Sequence, residues 1–440
     1  MAINLLSSTS RVSTPFIKVT IGDYTFGVYD KVQFKGYDSQ LKEAFRIQKI
    51  KYPNYVQELS IQKINGQVNK YTLRMSYPIT ESDDPNFFEK VFSSVSLTRR
   101  LTFSYGDLSA PNFMYRNESA IITNVRQNFA PASSVITYTV SATSTGDLAS
   151  AGTYSFGGRT SAKPSDVIKE LLYNKSYGLQ DIFPGMRNRT NVEQFNWIPS
   201  NDRPVRLEAK MNVSILDYLS YLVNCMSPID TNNSLIKNGV YVMIVVDDAE
   251  NSDGDYVVSQ GANKMVVDGS GTYFKIIYVD NQITESGAYS IDIGYPSANV
   301  VTDFQIENDE TYSIYYDFQQ KLNDASYVQR IDDAGNVVDV FAPTIAKGTP
   351  KFRATEAEKS WWTKVTSYPI KASVTLKGLL RSSILMTHVR LNVFFYGKKH
   401  DSSGLYIITK QTDTVSGSGF KTVLNMVRID KDVDVLDKGA

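Results

Sequence analysis

His388, His400 and Cys225 are the chain's whole supply of imidazole and thiol groups. The two histidines stand twelve positions apart, with no cysteine or further histidine at ligand spacing, so no zinc pattern is present. Cys225 lies on an apolar stretch beside Leu222 with no histidine on the same segment, which describes a buried structural thiol rather than a nucleophile. The run DDAENSDGDY resembles a calcium loop at first sight. With Gly254 as the turn glycine, Ala249 takes the first ligand position and Gln260 the last, where carboxylates are needed. GSGTYF (Gly269–Phe274) lacks the third glycine of a dinucleotide loop, and GGRTSAK (Gly157–Lys163) lacks phosphate-loop spacing. No G-x-S-x-G elbow and no H-E-x-x-H occurs. The expectation is no catalytic residue, no metal and no cofactor. A carboxylate pair for glycan hydrolysis has no local signature and stays open, and Trp361-Trp362 suits either sugar stacking or core packing.

Composition points away from chemistry and towards architecture. The chain has 440 residues, and Lys+Arg 46 against Asp+Glu 46 gives no net charge, so the overall balance makes no electrostatic case for a nucleic-acid binder. A local basic stripe is compatible with that balance. One cysteine excludes an internal disulfide framework. Tyr 28 and Phe 21, with many Thr and Val, favour strands. MAINLLSSTS lacks the charged and apolar regions of a signal peptide, and VYVMIVV is too short to span a bilayer, so folding in a cytoplasm is expected.

The elements follow from pattern. FIKVTIGDYTFGVYD alternates around Gly22-Asp23, and VQELSIQKINGQVNKYTLRMSYPI around Asn65-Gly66; both are hairpin patterns. SDDPNFFEKVFSSVS predicts a helix with Asp84 as N-cap and Pro85 at the first position. Thr143–Thr160, rich in Ser, Gly, Thr and Ala, predicts a linker or boundary. A helix capped by Ser165 should bury Val167, Ile168, Leu171 and Leu172. A second, with Ser214 and Asp217 at capping-box spacing, should bury Ile215, Leu216, Leu219, Leu222, Val223 and Met226. Gly239 to Phe341 is β again, Ala342–Pro350 a linker, and Thr355 and Glu358 open another helix. The expected class is mainly β with α+β insertions. Two tube-type β-barrel domains, 1–150 and 350–440, flank a mixed α/β domain at 160–235 and a β-rich inserted domain at 236–345.

The C-terminal hairpin, SSGLYIITKQTDTVSGSGFKTVLNMVRI, lacks a clean polar face on either strand. Leu405, Ile407 and Val415 are expected on one face of its first strand, with Tyr406 and Ile408 on the other. On the second, Phe420, Leu424 and Met426 oppose Val423, Val427 and Ile429. Strands apolar on both faces are covered on both, by a neighbouring domain or subunit or by a two-sided core within the chain. This ending resembles the final hairpin of baseplate hub proteins from contractile phage tails, a family related to the hub part of type VI secretion spikes. The matching positions are Gly404, Tyr406, Ile408, Phe420, Thr422, Leu424 and Arg428. FSYGDLSAPNFMYRNESAIITNVRQNFAPASSVITYTVSATS is similar to the family's first tube-type domain, and KPSDVIKELL with RLEAKMNVSILDYLSYLVNCM to its middle domain. Where members carry a histidine before the last turn, this chain has Thr412-Asp413-Thr414.

The resemblance implies a homotrimer in the baseplate of a virion tail, assembled in the host cytoplasm. It implies a pseudo-sixfold ring joining the tail tube protein to the central spike protein, with baseplate wedge components and a tape-measure protein as further partners. Double-stranded DNA would pass through without sequence readout. The assembly contact is expected on the hairpin, at Leu405, Tyr406, Ile407, Ile408, Phe420, Thr422, Val423, Leu424, Met426 and Val427. The alternatives are a tail-associated peptidoglycan hydrolase and a glycan-binding tail protein.

Overall fold

A computed structural model of the chain describes residues 3–4, 15–27, 52–53, 55–78, 86–93, 100–107, 114–130, 132, 134–186, 198–226, 239–250, 256–260, 263–267, 270–280, 289–294, 301–308, 329–331, 337–339, 370–378 and 384–431. Strands dominate and the helices are short, so the fold is mainly β. The two alternating segments pair as expected: Pro15–Ile21 with Tyr24–Gly27 around Gly22, and Val56–Ile64 with Lys70–Pro78 around Gly66. Both glycines hold positive φ, 56° and 68°, which suits a residue without a Cβ.

The first apolar core lies inside Pro15–Ile21, Arg100–Asp107, Met114–Ala130, Val135–Thr143, Lys70–Pro78 and Val56–Ile64. Each strand sends alternate residues inward, among them Ile17, Leu59, Leu73, Phe103 and Val140. The helix Phe87–Ser93 packs on this core. Val91 is buried, and the Phe87 ring lies 5.6 Å from Tyr24 and 5.7 Å from Tyr77. Its expected starting residues, Asp84 and Pro85, lie outside the described residues.

The segment between the cores corrects two expectations. Thr143–Thr160 is packed structure and not a linker. Ser144 caps the short helix Thr145–Ser150, and Gly146 and Ala149 are buried. The helix Pro164–Tyr173 starts on proline with Lys163 as N-cap. Ser165 therefore sits within the first turn, where its N–H (3.0 Å) and hydroxyl donate to the buried Asp202 carboxylate. Val167, Ile168, Leu171 and Leu172 are buried as their spacing requires. Ser214 does cap Ile215–Cys225, accepting the Asp217 N–H at 3.0 Å and donating to its carboxylate at 2.7 Å. Tyr218 joins the buried stripe where Leu216 was expected, because its ring stacks on Phe156 at 3.8 Å. Cys225 is buried.

The second core uses Ile370–Lys377, His388–Phe395 and the terminal hairpin Gly404–Ser416 and Gly419–Lys431. Two strands from the 236–345 block join it. Tyr289–Ile293 pairs in parallel with His388–Phe395, and Val301–Asn308 pairs antiparallel with Ile370–Lys377. The hydrogen-bonded unit is therefore larger than the 350–440 span. The expected linker at 342–350, the helix from Thr355 and the two adjacent tryptophans lie outside the described residues.

One ladder links the two cores. Its strands run Val301–Asn308, Ile370–Lys377, Gly419–Lys431, Gly404–Ser416, Val56–Ile64, Lys70–Pro78, Val135–Thr143 and the second half of Met114–Ala130. That makes eight strands, antiparallel at every junction.

Candidate assembly interface

The terminal hairpin sits in the middle of this ladder. Its register sets Ile408 opposite Met426, but Lys410 opposite Asn425, so Thr409 is an extra residue. Side chains alternate with period two, and one inserted residue moves everything beyond it to the other face. Tyr406 and Ile408 before the bulge therefore share a face with Gln411, Asp413 and Val415 after it. Across the hairpin that face continues as Met426, Leu424, Thr422 and Phe420. This corrects the expectation that Val415 sides with Leu405 and Ile407. It also groups Tyr406 and Ile408 with Leu424 and Met426, not with Val423 and Val427.

The consequence is a single face that serves two cores. Tyr406, Ile408, Leu424 and Met426 belong to the second core, and Val415 and Phe420 to the first. Phe420 meets Tyr105 edge-on at 5.9 Å. Of the expected contact residues, Tyr406, Ile407, Ile408, Phe420, Thr422, Leu424, Met426 and Val427 are buried within the chain, while Leu405 and Val423 keep partial exposure. The chain itself covers most of the hairpin's apolar side chains.

Between the two apolar ends of this face lies a buried polar belt. Thr422 donates to Asp413 Oδ1 at 2.6 Å and Gln411 to Oδ2 at 2.8 Å, while Gln411 Oε1 accepts the Ile384 N–H at 3.2 Å. On the neighbouring strand, Lys63 Nζ lies 3.0 Å from Glu118 Oε1, both side chains nearly inaccessible. Tyr105 (2.7 Å) and Tyr71 (3.2 Å) also donate to Glu118. Tyr71 is 2.7 Å from Asp247 Oδ2, which accepts from Asn69 at 2.8 Å; Asp247 Oδ1 accepts from Ser144 and, at 3.1 Å, from Thr272. The belt thus joins the hairpin, the first core and the strand Gly239–Glu250. Desolvation pushes the Asp413 carboxyl up to about 6 against the pull of Lys63 and its hydrogen bonds, and pushes Asp247 up to about 6 against three side-chain donors. Asp247 begins the run that resembles a calcium loop. It lies at 1 % exposure because Gly239–Glu250 runs as one strand past Glu118.

His400 is held in structure: its Nδ1 lies 2.7 Å from Ser402 Oγ and its ring 4.8 Å from Phe395. Among the described residues, no group of three or more His, Cys, Asp or Glu side chains is placed to hold a metal ion, and no helix is long and apolar enough to cross a membrane.

The ladder's unfinished parts are its two ends. From Thr123 to Ala130 every residue is exposed, including Val125 at 37 % and Phe129 at 50 %, although these two share the core-facing side with Val140 and Ile136. At the far end, Asp303, Gln305, Ile306 and Glu307 are exposed. Among the described residues each stretch has a ladder partner on one side only.

The structure is similar to solved tail proteins. It is similar to the 43 kDa tail protein of prophage MuSo2 from Shewanella oneidensis, at 12% identity and a TM-score of 0.48, over 95% of this chain and 100% of that one. It is similar to the tail protein from Neisseria meningitidis MC58, at 8% identity and a TM-score of 0.45, over 94% and 96%. It is also similar to the E. coli c3393 protein, a component of the type VI secretion system with structural similarity to the T4 tail proteins gp27 and gp5. That match has 9% identity and a TM-score of 0.40, over 85% of this chain and 73% of that one. No family model matches the sequence, and no curated protein does.

Sequence reasoning missed the belt and the open ends. Lys63, Glu118 and Asp413 are far apart in the chain and have no motif. A signal was present in one place: Lys63 occupies an inward position in VQELSIQKI, in phase with Leu59 and Ile61.

Proposed function

We propose that the chain is the structural hub of a contractile tail. In this reading three copies form a ring that adapts a sixfold tail tube to a threefold spike and surrounds the channel for DNA ejection. The observation that carries it is the eight-strand ladder with two open ends. An exposed edge carrying apolar side chains pairs with another strand unless it is blunted. The two ends are complementary in charge: Arg126 stands on one, Asp303 and Glu307 on the other. Pairing one end with the opposite end of the next copy is a head-to-tail contact, and such contacts form a ring when the rotation between copies closes. Three copies bring roughly 24 strands to the ring, and barrels of roughly 16 to 18 already enclose an aqueous channel. Two cores per chain make six barrel-like units from three chains, which suits a mismatch between sixfold and threefold neighbours. The C-terminal hairpin resemblance points the same way. The partners are the spike, tube, wedge and tape-measure proteins, the setting is the virion baseplate, and the chain has no catalytic role.

The test uses two variants that place a lysine on one edge each, Phe129→Lys and Ile306→Lys. Sedimentation velocity should show a trimer for the parent chain and monomers for each variant. An equal mixture should give a dimer with one good contact, unable to extend. A parent chain that is monomeric at every concentration, or a trimer that survives both substitutions, overturns the reading.

A further inference from the structure

The ladder has a second face, turned away from the first core and, apart from the buried Ile407 and Val427, from the second, and its composition departs from that of the chain. Register assigns it strand by strand. Row by row it carries Lys377, Lys421, Thr414, Ser60, Thr72, Ser141 and Asn124, then Asp303, Thr375, Val423, Thr412, Gln62 and Lys70. The remaining ionisable side chains on it are Glu58, Arg74, Arg126, Lys371, Lys410 and Glu307. The face therefore holds seven cations (Lys70, Arg74, Arg126, Lys371, Lys377, Lys410, Lys421) and three carboxylates (Glu58, Asp303, Glu307), in a chain with no net charge. Two of the carboxylates are on the terminal strand. Lys377 and Lys421 lie directly opposite each other across a strand pair. A groove of about 760 Å³ enters the face beside Lys371, Ser373, Lys410 and Asn425.

We infer that this face binds the phosphate backbone of double-stranded nucleic acid. Lysine and arginine among Thr, Ser, Asn and Gln are the side chains that contact phosphate oxygens without reading bases. A single strand is bound largely by stacking on aromatic rings, and among the described residues this face bears none. The ladder is about 34 Å wide at the usual strand spacing, so several phosphates are reached at once. The inference deepens the hub reading, since the same face would line the ring's channel, but it makes a claim of its own. The wall would hold duplex by salt-dependent contacts, where simple passage needs no affinity.

The experiment is fluorescence anisotropy on the full chain, with short labelled duplexes of two unrelated sequences, a single strand of equal length, and poly-glutamate. Both duplexes should bind alike, and tighter than the single strand. With about six phosphate contacts, affinity should fall roughly a thousandfold between about 50 and 200 mM salt. The double variant Lys70→Gln/Lys421→Gln, two exposed side chains of this face, should lower the slope of log affinity against log salt by about two. An unchanged slope overturns the inference, as does stronger binding of the single strand. Poly-glutamate binding as tightly as duplex overturns it too, and assigns the face to an acidic polypeptide. A monomer that binds duplex removes the ring and keeps this inference; a trimer that does not bind does the reverse.

Discussion

Asp413→Asn separates the buried belt from every other titrating group in the molecule. Asp413 is fully buried, and its carboxyl is pushed from 3.8 to about 6, chiefly by desolvation. A raised carboxyl binds its proton more tightly in the folded state. Its stabilising contribution is therefore complete below about pH 3.8 and is lost as pH rises through about 6. The gap between the two values corresponds to about 3 kcal/mol, of which about 2 kcal/mol falls between about pH 4.5 and pH 7.5. Asparagine does not titrate. It keeps an acceptor for Thr422 but turns an amide donor towards Gln411 Nε2, a loss of about 1 kcal/mol at every pH. Urea unfolding of both proteins across this window gives the difference, in which titrations of groups not coupled to Asp413 cancel. The variant should be the less stable at the acid end, and the difference should move by about 2 kcal/mol in its favour by neutral pH. A difference flat in pH refutes the buried-charge argument, and a movement in the opposite direction refutes its sign.

Ile408→Asp and Leu424→Asp both place a carboxylate in the second core, on the same face. Each should cost at least about 3 kcal/mol and abolish the folded circular dichroism signal; a folded monomer from either would show that this face has another cover. Tyr396 is fully exposed at a φ of 52°, beside Gly397 at 78°. Tyr396→Gly should raise the unfolding free energy by a few tenths to about 1 kcal/mol, and a lowered melting temperature would show that the ring has a packing role.

Much of the strand order was legible because alternation survives wherever one face is dry. VQELSIQKI and KYTLRMSYP both carry buried residues at every second position, and both end at Asn65-Gly66 where the turn residues placed it. Ser214 was legible as a cap because the box with Asp217 is local. Ser165 was not, since its partner Asp202 is distant in the chain and Pro164 had already fixed the helix start. The hairpin showed its two-sided apolar character but hid its partners. An extra residue such as Thr409 has no sequence signature, and the belt is assembled from strands whose contacts are set by pairing at long range. The cationic face was invisible for a similar reason: its charges are scattered along the chain and balanced in the sum by carboxylates that point elsewhere.

The inserted Thr409 also determines which kinds of sequence change this ending tolerates. Apolar residues on either side can be exchanged for others of similar volume, since each keeps its orientation. Losing a residue between Ile408 and Gln411 is a different event. It would remove the bulge and leave Ile408, Gln411, Asp413 and Val415 on one face in plain alternation, whereas losing Thr412 would turn Asp413 and Val415 outward. The bulge is therefore a place where this strand can lose a residue without turning over.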